Sequence, residues 1–277
     1  MFNAIRADLY RMVKTKSFYV VAACTVVFLL MNLALLKTDL DMAETEQQTV
    51  SEETDETVNL GMSVSMDTAP GEEATIMDVV YSTFSSKFAA LFLVVFVVLF
   101  STADIHSGYL KNIGGQVANR AYLIISRAVC IVVFTGGFMV LSFFTLLAGM
   151  KLILGYVHLG SLGAVASYLG IQFVLYAALA LIVMCISVIV KNNAISMTVG
   201  ICLCMNVMTI LYGLINQTAA KMGFENFDIL KYTITGNILL LPPDMDKSIY
   251  LRCVGTAVVF MILSAVLGAW TLRKRDI

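Results

Sequence analysis

Residues 101–127 read STADIHSGYLKNIGGQVANRAYLIISR. Asp104, His106, Lys111, Arg120 and Arg127 interrupt two long apolar runs here, and Gly114-Gly115 places a flexible break in the middle. A polar island between runs of this length marks a loop joining two membrane spans.

The whole composition agrees. Of 277 residues, 59% are hydrophobic and only 13% charged, and the mean hydropathy is +0.87. A soluble domain carries about 25% charged residues, so this much apolar surface needs a bilayer to hide it. The six cysteines lie in or at the ends of apolar runs and form no extracellular disulfide framework. Cys202 and Cys204, two apart, fall on nearly opposite helix faces, which argues against a shared metal.

Upstream of the island, residues 88–103 form a span that begins just after Lys87, or has that lysine one turn inside and snorkelling outward. Residues 37–87 hold twelve of the 19 acids. Their first half lacks apolar periodicity, whereas Ile76, Val79, Val80 and Phe84 recur at helical spacing. Two readings stay open for this segment, an acidic cap that attracts a cationic substrate or a solvated loop. Residues 17–36 make a first span. Before it, residues 2–16 read as an amphipathic helix with Phe2, Ile5, Leu9, Met12 and Val13 on one face. Arg6, Asp8, Arg11 and Lys14 take the other side, and Lys16 bounds the span. Such a helix lies in the headgroup layer with its cations toward anionic lipid; the plainer alternative is a basic flank that orients the first span.

Downstream, spans are expected at 128–150, 164–190, 194–215 and 253–272. Gly136-Gly137 and Gly149 allow close helix approach in the first of these. A glycine-rich loop holding His158 precedes 164–190, and Lys191-Asn192-Asn193 turns into 194–215. The polar segment 216–252 contains an apolar piece, 238–241, stopped by Pro242-Pro243. It is too short to cross a bilayer and reads as a re-entrant or surface half-helix. The fold expected is thus an all-α integral membrane protein, one domain over 1–277, with six transmembrane helices and an N-terminal interfacial helix.

Six spans place both termini on one side. That side carries eleven of the eighteen Lys and Arg residues but only three of the nineteen acids. Positive-inside logic then puts both termini and 104–127 in the cytoplasm of a cell-membrane protein, and 37–87 and 216–252 outside.

Several chemistries lack their residues. No phosphate-cradling glycine loop ending in Gly-Lys-Ser/Thr occurs, nor a His-Glu-x-x-His zinc pattern, nor a Gly-x-Ser-x-Gly nucleophile elbow. Only His106 and His158 exist, on opposite sides of the membrane in this topology. Every charged residue is expected at a span end or in a loop, so the interior offers only neutral groups such as Asn32, Gln172, Thr198, Asn206 and Thr209. Ion-coupled transporters usually need ionisable groups at depth. Energy for uphill transport would therefore enter from outside the chain.

Two stretches carry a resemblance to a family: RADLYRMVKTKSFY at 6–19 and DIHSGYLKNIGGQVANRAYLIISR at 104–127. With the six-span layout and the half-helix before the last span, they resemble the ABC-2 type permease subunits of bacterial ABC exporters. The second stretch looks like that family's acidic residue, Gly-x-x-Lys-Asn, polar turn and Arg. The resemblance implies that Asp104, Gly108, Lys111, Asn112 and Arg120 couple to an ATPase, while Arg6, Arg11, Lys14 and Lys16 belong to the interfacial helix. It implies as partners two ABC ATPase subunits, which carry the ATP and magnesium, and a second permease copy or homologue in the same bilayer. No cofactor, catalytic activity or nucleic acid is expected of this chain itself. Family substrates are often peptides, antibiotics or lipid-linked molecules. The outer 37–87 loop is longer than in smaller members. Competing readings are a membrane-embedded sensor using 37–87 and an ATPase-independent transporter; a membrane enzyme is the weakest.

Overall fold

The computed structural model describes residues 2–46, 74–106, 121–205, 207–222, 228–243 and 247–273. Among them about 90% are helical and no strand forms. The chain opens with α1 (Phe2–Lys14) and α2 (Lys16–Glu46). They meet at Thr15, whose hydroxyl donates to the Arg11 carbonyl at 2.8 Å. Lys16 therefore opens α2 instead of closing α1. At 31 residues, α2 is about 46 Å long, longer than a hydrocarbon core of about 30 Å. It continues well past the expected end at residue 36, into the acidic segment.

The short helix α3 (Ile76–Ser85) buries Ile76, Val79, Val80 and Phe84, the residues that repeat at helical spacing. Its start is a reciprocal cap. The Asp78 N–H donates to Thr75 Oγ1 at 3.4 Å, and the Thr75 N–H donates to Asp78 Oδ2 at 2.9 Å. A second tie, the Ile76 N–H to the His158 carbonyl at 2.9 Å, pins this end to the loop that holds His158. Next comes α4 (Phe88–His106), bent 50° from α3.

From Ala121, α5 (Ala121–Gly149) runs on through one π turn, Met150–Leu154, and stops at Gly155 in the left-handed region. Then α6 (Leu162–Val190) ends at Lys191, also left-handed, and Asn192 caps α7 (Asn193–Cys204) by accepting from the Ala194 and Ile195 amides. The remaining elements are α8 (Val207–Lys221), a 3-10 turn Ile229–Tyr232, α9 (Ile234–Leu240) and α10 (Lys247–Arg273).

The centre of the bundle is α6. It packs against α3, α4, α5, α7, α9 and α10. In its most apolar stretch 67% of residues are buried, against 22% in α2 and in α10, so those two helices turn much of their apolar surface outward. Gly149 lets α5 approach α2, since a Cβ there would fall 2.5 Å from Leu33 Cδ1.

Four helices, Lys16–Thr38, Tyr122–Leu154, Leu162–Val190 and Lys247–Thr271, are long and apolar enough to cross a membrane. The bent pair α3–α4 makes a fifth if it counts as one span. Residues 194–215, expected as a single helix, are instead divided between α7 and α8. Met205 is extended at the break (ψ 148°).

Helices that end inside an apolar bundle leave carbonyls without water, and each must find another donor. Here neutral side chains supply them. Tyr176 of α6 donates its hydroxyl to the Phe84 carbonyl at 2.9 Å, and Ser86 donates to Thr83 O at 3.0 Å. At the end of α9, Ser85 donates to the Leu239 carbonyl at 3.0 Å and Gln172 Nε2 to Ile238 O at 3.4 Å. Tyr176 stands fourteen residues from either end of α6. The α3 terminus therefore lies level with the middle of α6, whose apolar stretch is the most buried of the four long helices.

Lys87, expected just before a span or one turn inside it and snorkelling outward, directly precedes α4 and does not reach out: it is only 3% exposed and sits in the bend between α3 and α4 with φ 62°.

Candidate functional site at the stems of the 107–120 loop

Both stems of the loop are described. On the leading side, α4 remains helical through Asp104 to His106. On the trailing side α5 begins at Ala121. Gly108, Lys111, Asn112 and Arg120 lie outside the described residues, as does the Asp104 side chain.

One arginine ties the stems together. Arg127, one and a half turns into α5, is 3% exposed and donates from Nη1 to the Ser101 carbonyl of α4 at 3.0 Å. A guanidinium keeps its charge in any environment, so its burial demands acceptors, and a helix carbonyl is among those it finds.

The first helix docks beside this tie. Asp8 of α1 is 8% exposed and accepts a hydrogen bond from Ser126 Oγ at 2.6 Å. Arg11 Nη1 lies 3.5 Å from the other Asp8 oxygen, so the carboxylate bridges α5 to a cation on its own helix. Met12 is buried, and the Cys130 thiol of α5 lies 3.8 Å from the Ile5 carbonyl. The docked face is thus Ile5, Asp8, Leu9 and Met12, at i, i+3, i+4 and i+7.

Sequence reading placed Asp8 with the cations on the far side. The structure turns it inward, because an uncharged serine one turn from the start of α5 gives the carboxylate a donor there. Arg6, Lys14 and Lys16 remain exposed, and Lys14 Nζ stands 5.0 Å from the Tyr10 ring centroid. Val13, assigned to the apolar face, is 47% exposed. The helical spacing of 5, 8, 9 and 12 was the available signal for Asp8. No local signal pairs Arg127 with Ser101, which lie 26 residues apart.

Chemically the arrangement is a mechanical frame. Three helices, α1, α4 and α5, are joined by charge-assisted hydrogen bonds within one or two turns of the loop ends. No protein-family model matches the chain, and no curated protein matches it significantly.

Proposed function

We propose that this chain is the membrane-spanning permease subunit of an ATP-driven ABC exporter, energised by separate ATPase subunits that dock on the 104–127 loop. The supporting observation is the frame at the loop stems, Asp8–Ser126 together with Arg127–Ser101. A loop that served only to connect two spans would need no buried carboxylate and guanidinium to brace its ends, since each costs desolvation unless its partners are held in place. Asp104, Gly108, Lys111, Asn112 and Arg120 form the docking segment. ATP-driven closure of two ATPases pushes that segment, and the frame passes the push to α1, α4 and α5.

In this reading the chain crosses the membrane six times. The bent α3–α4 pair forms the second crossing and the broken α7–α8 pair the fifth. Both termini lie in the cytoplasm by the distribution of Lys and Arg. A second permease, identical or homologous, completes the path, and the substrate is a peptide, an antibiotic or a lipid-like molecule. The test is copurification: expressed with its chromosomal neighbours, the chain is expected to bring down an ATPase. Consistent failure to do so sinks the proposal.

A second reading gains from Lys87. An ATPase-independent transporter needs an ionisable group at depth, and the buried lysine supplies one. That reading expects flux from the purified chain alone in proteoliposomes, which the exporter reading does not.

A further inference from the structure

Lys87 sits where two broken helices meet. It follows the last turn of α3, at the level where Tyr176 of α6 caps the Phe84 carbonyl. Along α4 packs α7, so the α3–α4 break and the α7–α8 break bound one pair of packed helices. Gly200 makes this proximity possible: a Cβ there would collide with Val94 of α4. Irregular backbone at such depth is tolerated where it is buried in protein or lines a cavity, and paired broken helices are where membrane proteins build binding sites.

The ammonium has three donors. Among the described residues it forms no hydrogen bond and no ion pair. The neutral donors Tyr176, Ser85, Ser86 and Gln172 already occupy carbonyls at the ends of α3 and α9. The described carboxylates of the α3 and α9 regions are engaged elsewhere. Asp78 closes the α3 cap, and Asp228 binds Asn216 and Lys231. Lys87 is thus a residue only 3% exposed, in a left-handed backbone position, to whose ammonium the described residues give no anion. Strain of this kind persists where the surroundings over-determine it and gathers at ligand sites.

We propose that Lys87 is the anchor of an intramembrane oxyanion site, which takes the phosphate or carboxylate group of a ligand that enters the bundle between the two helix breaks. In the low-dielectric interior an oxyanion gains far more from one ammonium than it would in water, and charge-assisted hydrogen bonds fix it in place. The inference rests on the buried charge alone. Failure to find an ATPase partner leaves it standing, and loss of anion binding leaves the docking proposal standing.

The experiment uses the full chain in nonionic detergent and reads the thermal unfolding midpoint against three probes: dodecyl phosphate, uncharged dodecanol and inorganic phosphate. Dodecyl phosphate is expected to raise the midpoint of the wild type and of Lys87→Arg, and dodecanol is not. Inorganic phosphate acting equally well identifies a small free anion as the ligand. Inactivity of inorganic phosphate identifies an amphiphile-borne headgroup. Lys87→Gln is expected to weaken dodecyl phosphate binding by at least about thirtyfold. Cys204→Asp, which offers the ammonium an internal carboxylate, is expected to abolish the rise and gives the answer if Lys87→Gln does not fold. The proposal is overturned by a wild type that responds no more to dodecyl phosphate than to dodecanol. It is equally overturned by an undiminished response in Lys87→Gln or Cys204→Asp.

Discussion

Asp8 and Arg127 show what a single charge does when neighbours accept it. Both are buried near the ends of apolar helices, and both find partners on another helix. A hydrogen bond to a charged group contributes about 1.5–3 kcal/mol. Ser126→Ala should therefore destabilise the protein by about that amount, read as a lower midpoint of unfolding in detergent, with α1 becoming the first segment cut in limited proteolysis. A midpoint and cleavage pattern identical to wild type would show that α1 does not depend on this contact. The helical repeat of Ile5, Leu9 and Met12 was legible in the sequence, but Asp8 was read with the cations on the opposite face. The partner of Asp8 was not legible, because Ser126 is 118 residues away and hydroxyls of this kind are common in membrane helices.

At the scale of elements, the informative features are the breaks. The α3–α4 bend falls at Ser86-Lys87, where a lysine within an apolar region gives some warning. Nothing warns of the α7–α8 break. Its surroundings, Cys202 to Met208, contain no glycine or proline, and hydropathy alone runs smoothly through them. What makes broken helices tolerable is the set of side chains that cap their carbonyls. Removing one, as in Tyr176→Phe, should cost about 0.6–1.7 kcal/mol, the range of side-chain hydrogen bonds inside membrane proteins. Unfolding in mixed micelles with increasing denaturing detergent measures this, and no change would mean that another donor replaces the hydroxyl. Close approach is the second element-scale device. Gly149→Leu forces a side chain into Leu33 and should cost about 1–3 kcal/mol, by the same measurement. Gly137 has no neighbour within 4 Å of a would-be Cβ, so Gly137→Ala serves as the tolerated control. The glycines were visible in the sequence as a group, but only the packing separates the one that matters from the one that does not.

For the whole molecule the open quantity is the number of crossings, to which the bent α3–α4 pair and the broken α7–α8 pair each add or withhold one. If the α7–α8 pair crosses, a cysteine at position 225 reacts with a membrane-impermeant thiol reagent only from the side opposite to one at position 191. If the pair is re-entrant, both react from the same side. The six-crossing topology expects the first result. Under the proposed exporter reading, coupling is also a property of the whole. Lys111→Glu with Arg120→Glu should uncouple ATP hydrolysis from transport while the protein still inserts and folds. Unchanged transport in that double variant would count against docking at the loop.

The class of the molecule was legible in its composition and in the lengths of its apolar runs, because burying a backbone in hydrocarbon requires a helix of about 20 apolar residues, and that is a one-dimensional condition. The same condition located the short helix before α4 and the half-helix before Pro242; of the loop expected at 104–127, residues 104–106 belong to α4 and 121–127 to α5. That condition assigned each charge by its sequence neighbours, however, and so placed Lys87 at an edge and Asp8 on an outer face. Only the tertiary structure decided those two, together with the level at which the broken helices stop. Burial depends on what packs across from a residue, and the residues that do so, Tyr176 and Cys204 around the bend and Ser126 beside α1, stand about 90 to 120 positions away along the chain.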